Sequence, residues 1–399
     1  MIGQAKTGAQ VSTPLNRRAV MYPTMLGAYG PWAALVADDP ASLSFRRGEW
    51  TDVEAWRPIA RQRLLERLAP PHTGVTPDVT VHRRLVYDGL HVEDLSWQLP
   101  YGPPTEAIFL KPAGATGRFP GILALHDHAG KKYFGKRKIA RTADDWHPLM
   151  LEHHAEYYGG VPWANEMAKR GYAVLVPDAF SFASRRVRVE NVPETISAEG
   201  TDPISETEAE IDAYDRWAAG HESLMAKSLF CAGTTWPGVF VSEDQLALDV
   251  LCAREDVDTA RVGCGGLSGG GLRTVYLGGI DPRVQCAVCV GMMTTWRDFL
   301  LNVCHTHTWM IYIPLLPTEL DYPEILGLRV PLPTMVLNNL DDPLFTLPEM
   351  ERADRILKEV YAKAEADQRY QSRFFPGPHK FDSEMQGAAF DWFDRWLRN

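Results

Sequence analysis

The chain has 399 residues, of which 45% are hydrophobic and 23% charged, so it has enough apolar residues for a large buried core. The net charge of −10 argues against a nucleic-acid partner. No window approaches the roughly 18 uninterrupted apolar residues of a membrane-spanning helix, so we expect no membrane partner either.

Six cysteines are few for this length, which favours reduced, mostly buried thiols over a disulfide framework. Cys286 and Cys289 have CxxC spacing but lie in a predicted strand, where side chains three positions apart face opposite ways. His305 and His307 would share a strand face, but no second ligand pair is evident. The N-terminal region lacks the clean apolar run of a signal peptide. We therefore expect a cytoplasmic protein with no metal site and no cofactor.

Residues 1–75 are predicted to form a helical extension, with one helix beginning near Trp50 and ending before Pro70. Alternating apolar and polar residues then predict three strands, at 79–87, 90–98 and 106–111. From residue 120 onward, short apolar runs alternate with helical segments, which predicts parallel strands covered on both faces. These runs are 121–125, 173–176, 261–265, 284–290 and 333–337.

Helices are predicted between and after these strands. Ser242 with Gln245 and Thr346 with Glu349 match the capping-box pattern, so helices are expected to open at Ser242 and Thr346. The last segment carries the apolar stripe of a helix packed on a sheet. Residues 186–240 are acidic and too long for a simple connection, which predicts a lid-like insertion over the strand ends. Residues 76–399 are therefore expected to form one α/β catalytic domain.

One serine, Ser268, lies among six glycines in residues 263–272, Gly-Cys-Gly-Gly-Leu-Ser-Gly-Gly-Gly-Leu. A predicted strand precedes it and a predicted helix follows. Gly266 and Gly270 flank it in the GxSxG pattern of a nucleophile elbow, a sharp turn that exposes the hydroxyl at the positive end of a helix. Side chains at the two glycine positions would collide in such a turn. The pattern predicts a nucleophilic serine.

A serine hydroxyl needs a base, and the base needs an acid that orients it. His379 lies in a turn before the last helix and could take the Ser268 proton. The strand that ends near residue 337 is followed by Asp341 and Asp342, either of which could hold the imidazole. Each residue alone could be an ordinary turn or surface residue. Their order along the chain, each after a strand, predicts a catalytic triad.

The oxyanion that forms during attack needs two backbone N–H donors. Gly269, directly after Ser268, is expected to supply one. The loop 125–130, Leu-His-Asp-His-Ala-Gly, follows a strand and is expected to supply the other from His128. His126 and His128 could also be read as metal ligands, but no further ligands converge on them in the sequence.

These pieces resemble the α/β-hydrolase superfamily and, within it, the dienelactone-hydrolase-like and acetyl-xylan-esterase-like bacterial enzymes. The resemblance covers roughly residues 80–399 and rests on segments 125–130, 171–180, 256–271, 341–345 and 377–381. It implies an eight-stranded, mostly parallel sheet flanked by helices, and a triad of Ser268, Asp342 and His379. The loop at 126–130 departs from the usual HGxGG-like pattern, so the resemblance does not by itself assign the His128 N–H as the second oxyanion donor. Dienelactone hydrolases proper use a cysteine, so the serine indicates an esterase.

The resulting hypothesis is a serine esterase that cleaves a small-molecule carboxylic ester through an acyl-enzyme. A serine peptidase or amidase shares the same triad chemistry, and a silent hydrolase-fold binding protein would lack a triad member. Arg185, Arg186, Trp236 and Trp296 are candidates for substrate contact, with surface arginines and core tryptophans as the alternatives. The ester itself and the oligomeric state are not predicted.

Overall fold

The structure, a computed structural model, describes residues 23–37, 39–198 and 200–398. In this part of the chain, nine strands form one sheet. The strands are β1 (Thr80–Tyr87), β2 (Leu90–Trp97), β3 (Thr105–Pro112), β4 (Phe119–Ala124), β5 (Ala173–Pro177), β6 (Val257–Leu267), β7 (Cys286–Val290), β8 (Thr334–Asn339) and β9 (Tyr370–Phe375).

The strand order across the sheet is β1-β2-β3-β5-β4-β6-β7-β8-β9. The first three strands pair antiparallel with their neighbours, and β3 is also antiparallel to β5. All pairs from β5 to β9 are parallel, which confirms the mostly parallel α/β sheet. The sheet has one strand more than the expected eight. The additional strand, β9, lies at the sheet edge and its four central residues are partly or fully exposed, so it lacks the apolar run that identified β4 to β8.

The sheet is flanked by helices. They are α1 (Gly30–Ala33), α2 (Val53–Leu68), α3 (Pro148–Tyr158), α4 (Trp163–Lys169), α5 (Glu194–Ser197), α6 (Glu208–Cys231), α7 (Trp236–Cys252), α8 (Gly269–Ile280), α9 (Trp296–Asp298), α10 (Tyr322–Gly327), α11 (Leu347–Lys363) and α12 (Ser383–Leu397). Within the described residues, no helix has both the length and the hydrophobicity needed to span a bilayer.

One predicted helix start and one predicted capping bond need correction. Helix α7 begins six residues before Ser242, because the Thr235 hydroxyl accepts a hydrogen bond from the N–H of Gly238 and caps the helix there. Ser242 is buried inside α7 and its hydroxyl donates to the carbonyl of Pro71. Helix α11 begins after Thr346 as expected, but the Thr346 hydroxyl donates to Asp298 and does not cap the helix.

Helix α2, which belongs to the predicted N-terminal extension, packs into the core of the sheet domain. Helix α2 is capped by Asp52 and buries Trp56, Ala60, Leu64 and Leu68 in the large cluster that also contains residues of α7 and α8. The carbonyl of Leu68 accepts the hydroxyl hydrogen bond of Thr235 at 2.8 Å. The extension therefore shares its buried surface with the helices on one face of the sheet.

Candidate active site

The candidate residues follow four parallel strands that end at the same edge of the sheet. Leu125 follows β4, Ser268 follows β6, Asp342 follows β8 and His379 follows β9. The registers pair Ala124 with Gly265, and Asn339 with Phe375, so the four strands end at neighbouring positions. Ligand sites in parallel sheets lie at the carboxyl ends of the strands.

Ser268 occupies a strained turn between β6 and α8. Its φ of 55° and ψ of −115° lie in a region that non-glycine residues rarely adopt. A Cβ at Gly266 or at Gly270 would lie 2.1 Å from the carbonyl oxygen of Leu125, a distance that no side chain can accept. The two glycines therefore let the turn pack against the end of β4.

His379 and Asp342 form a hydrogen-bonded pair. Nδ1 of His379 lies 2.6 Å from Oδ2 of Asp342, whose other oxygen accepts the N–H of Leu344 at 2.9 Å. Gly291, at a φ of 56°, leaves room for the imidazole, because a Cβ there would lie 2.9 Å from its Cε1. Asp341 instead accepts the N–H of Gly377 and is exposed. Of the two aspartates, the structure brings Asp342 to the histidine.

Ser268 and His379 line one cavity of about 370 Å³. Nε2 of His379 has no hydrogen-bond partner among the residues that the structure describes, and no hydrogen bond joins it to Ser268. Catalytic hydrogen bonds often tighten only when substrate is bound. Nε2 is thus a buried nitrogen that is not committed to another described residue, on a side chain that lines the cavity.

The two candidate oxyanion donors are adjacent. A Cβ at Gly269 would lie 2.8 Å from the backbone nitrogen of His128, so the loop after β4 passes directly over the start of α8. The buried Lys138 fixes this loop, because its ammonium donates hydrogen bonds to the backbone carbonyls of Asp127 at 2.9 Å and His128 at 2.8 Å. The Asp127 carboxylate accepts hydrogen bonds from the buried His153 and Tyr158.

The His128 side chain joins this loop to α6, the long helix of the 186–240 segment. Its Nδ1 accepts the N–H of Gly130 at 3.1 Å, so its Nε2 carries the proton and donates to Glu222 at 2.8 Å. Burial and the nearby Lys132 ammonium lower the pKa of His128 to about 4. Burial alone would raise the pKa of Glu222, but the hydrogen bond from His128 and the charge of Lys132 hold it well below its usual value. Sequence reasoning missed Glu222, although it noted that this segment is acidic.

The histidine pairs that could suggest a metal are engaged differently. His126 is buried and its Nδ1–H donates to the Asp127 carbonyl, and burial together with Arg273 lowers the pKa of His126 to about 3. His307 donates to the carbonyl of Leu344 at 2.9 Å, whereas His305 is exposed at the cavity rim. In residues 23–37, 39–198 and 200–398, no group of three or more His, Cys, Asp or Glu side chains is placed to hold a metal ion.

The two arginines expected near substrate lie away from the Ser268 cavity. Arg185 is 2% exposed, pairs with Glu243 at 2.6 Å and donates to two backbone carbonyls, so its guanidinium is used inside the protein. Arg186 donates to the carbonyl of Ala183 and lies over the ring of Tyr133. The structure therefore does not bring either arginine to the cavity of Ser268.

The two tryptophans are also outside this cavity. Trp236 is a buried core residue whose indole N–H donates to the carbonyl of Phe180 at 3.2 Å. Trp296 donates to the carbonyl of Leu320 and lines a separate, largely apolar cavity of about 760 Å³. The core alternative thus describes both residues better than the substrate-binding one.

Comparison with known proteins agrees with this architecture. No family model matches the chain. YtaP of Bacillus subtilis (strain 168), named as a candidate hydrolase, is 24% identical over 309 residues, covering 77% of this chain and 88% of that protein. A candidate acetyl xylan esterase from Bacteroides fragilis NCTC 9343 superposes with a TM-score of 0.63 at 15% identity, covering 88% of this chain and 83% of the other. A glucuronoyl esterase from Solibacter usitatus superposes with a TM-score of 0.59 at 14% identity, covering 89% and 97%. The chain has the α/β-hydrolase fold.

Proposed function

We propose that the protein is a serine hydrolase that cleaves a carboxylic ester in two steps. Oγ of Ser268 attacks the ester carbonyl while its proton passes to Nε2 of His379. Asp342 holds the imidazole by Nδ1 and stabilises its cation. His379 then gives the proton to the departing alcohol, and water repeats the sequence to release the acid from Ser268.

A negative charge develops on the carbonyl oxygen during the attack. We assign its stabilisation to hydrogen bonds from the backbone N–H groups of Gly269 and His128. Donors already aimed at the oxyanion act in a site sheltered from water, where they stabilise the transition state strongly. The helix α8 that begins at Gly269 adds its positive end to the same place.

The observation that carries this proposal is the 2.6 Å pair of Asp342 and His379, because it leaves Nε2 without another partner among the described residues, and His379 lines the same cavity as Ser268. The names of the structural neighbours support an ester substrate, and two of them name carbohydrate esters. We therefore place acetylated sugars and sugar-acid esters first among the small esters to be tested.

The proposal is tested with Ser268→Ala on p-nitrophenyl acetate and a panel of acetylated sugars. We expect an unchanged circular dichroism spectrum and a loss of kcat/KM of at least about 10³-fold, since the nucleophile is gone. Hydrolysis by this variant near the wild-type rate would contradict the proposal. A matched acetyl amide, assayed beside the ester, decides between an esterase and an amidase.

A further inference from the structure

Helix α6 docks on the segment that follows the candidate oxyanion loop, and carboxylates carry the contact. Asp212 accepts from Lys131 at 3.0 Å, and Asp215 accepts the backbone N–H of Tyr133 at 2.8 Å. Glu222 lies two turns further along the same helix and reaches the loop itself. Asp212, Asp215 and Glu222 of α6 thus face residues 128–133.

Glu222 accepts two hydrogen bonds and pairs with one buried ammonium. Oε1 lies 2.8 Å from Nε2 of His128 and 2.6 Å from Nζ of Lys132, and Oε2 accepts the hydroxyl of Thr308 at 2.6 Å. The residue is 7% exposed and borders the same cavity as Ser268. One carboxylate therefore connects α6, the loop after β4 and Thr308, which also lines the cavity.

We propose that Glu222 is a positioning residue that aims the backbone N–H of His128 at the oxyanion. With both ring nitrogens of His128 bonded and its carbonyl held by Lys138, the rotation of this residue is fixed from two sides. Without the hydrogen bond to Glu222, the imidazole of His128 is free to rotate. The backbone N–H of His128 is then no longer held in the direction of the oxyanion. The inference rests on the proposed function, because it assigns a role in that same reaction.

A test of this role must distinguish the positioning of His128 from the ion pair that Glu222 forms with Lys132. Its ammonium is buried, lies 4.3 Å from the ring centre of Phe182 and 4.6 Å from that of Trp236, and has Glu222 as its ion-pair partner. A single Glu222 substitution would leave this buried charge unpaired, which destabilises a protein for reasons unrelated to catalysis. The test variants therefore also carry Lys132→Met.

The experiment compares Lys132→Met/Glu222→Gln with Lys132→Met/Glu222→Ala. Both lack the ion pair, but only the first keeps an oxygen that can accept the proton of His128. We measure kcat and KM for p-nitrophenyl acetate and the inhibition constant of a trifluoromethyl ketone. Addition of Ser268 Oγ to that ketone forms a hemiketal with a negative oxygen and leaves the proton on His379, so its affinity reports on the oxyanion donors.

We expect the glutamine variant to lie within about 3-fold of the wild type and the alanine variant to lose about 10–100-fold in kcat. The inhibition constant should rise by the same factor while KM changes less than about 3-fold. Equal kcat values and equal inhibition constants in the two variants would overturn the positioning role. Ser268→Ala in the same assay separates the two proposals, because an active Ser268→Ala variant contradicts the proposed function itself.

Discussion

The backbone of Ser268 is held in its strained conformation by close packing with the loop after β4. At Gly269, the next residue, this packing involves His128, the second candidate oxyanion donor. A Cβ at Gly269 would lie 2.8 Å from the nitrogen of His128. We expect Gly269→Ala to displace that N–H and lower kcat/KM about 10–100-fold. The matched control is Gly387→Ala, because Gly387 lies in α12 with open space around its Cβ position. This control should keep full activity and gain about 0.5–1 kcal/mol of stability. Equal activity in the two variants would contradict the account.

Asp341 and Asp342 offer a second matched pair of adjacent residues. Asp342→Asn removes the charge that orients and stabilises the His379 imidazole, so we expect kcat to fall about 10³–10⁴-fold. Among the described residues, the Asp341 carboxylate accepts only the N–H of Gly377, so kcat of Asp341→Asn should stay within about 3-fold. Steady-state kinetics on one ester, with thermal unfolding as the folding control, decide the matter. A greater loss in Asp341→Asn would reverse the assignment.

Among single residues, the sequence predicts those whose immediate neighbours in the chain also form the turn that positions them. Ser268 is such a residue, since its two glycines lie next to it in the chain. Asp342 could be separated from Asp341 only by the resemblance, because both lie in one turn and their side-chain directions are not encoded locally. Glu222 lies 94 residues from His128, and no local pattern links two such positions.

Helix α2 shows how an element of the extension contributes to the fold. Trp56 is fully buried and its indole N–H donates to the carbonyl of Leu43 at 2.7 Å, whereas Ile59 on the same helix is 50% exposed. We expect Trp56→Ala to lower the free energy of unfolding by about 3–5 kcal/mol. Ile59→Ala should cost less than about 1 kcal/mol. Urea unfolding followed by circular dichroism measures both.

The same experiment tests whether residues 1–75 form a separate unit. If α2 folds with the sheet domain, Trp56→Ala moves the whole transition to lower urea concentration. An early, partial transition that leaves the midpoint of the main one unchanged would show that the extension unfolds independently.

The predicted element boundaries agree with the structure where the apolar periodicity of the sequence is strong. They are wrong where tertiary contacts determine the end of the element. The predicted strand at 79–87 and the observed β1 differ by one residue at one end. Helix α7 begins earlier than expected because Ser242, which resembles a cap, is buried against Pro71. The bounds of strand β9 were not predicted, since an edge strand with exposed polar residues lacks the apolar run of its neighbour β8.

Across the whole molecule, a buried carboxyl links stability to pH. Glu324 in α10 accepts the hydroxyl of Ser44 from the N-terminal extension, and burial raises its pKa to about 7 despite the nearby Arg46. A carboxyl whose pKa is raised by folding stabilises the folded state at low pH, and this contribution is lost as the pH rises from about 4.5 through 7. Glu324→Gln keeps an acceptor for Ser44 but cannot ionise.

We therefore expect the stability of Glu324→Gln relative to the wild type to rise by about 2–3 kcal/mol between pH 5 and pH 8, with each pKa unit contributing about 1.4 kcal/mol. Urea unfolding at several pH values, on both proteins in the same buffers, measures this difference. A stability difference that does not change with pH would show that Glu324 ionises in the folded protein as it does in the unfolded chain.

The proposed chemistry depends on Ser268 being the nucleophile, and a covalent probe tests this most directly. We expect a fluorophosphonate to add one equivalent to the native enzyme, with the adduct on Ser268 in peptide mass spectra and with loss of ester hydrolysis in proportion. Ser268→Ala should take up none. Labelling of another residue, or inactivation without an adduct on Ser268, would contradict the account.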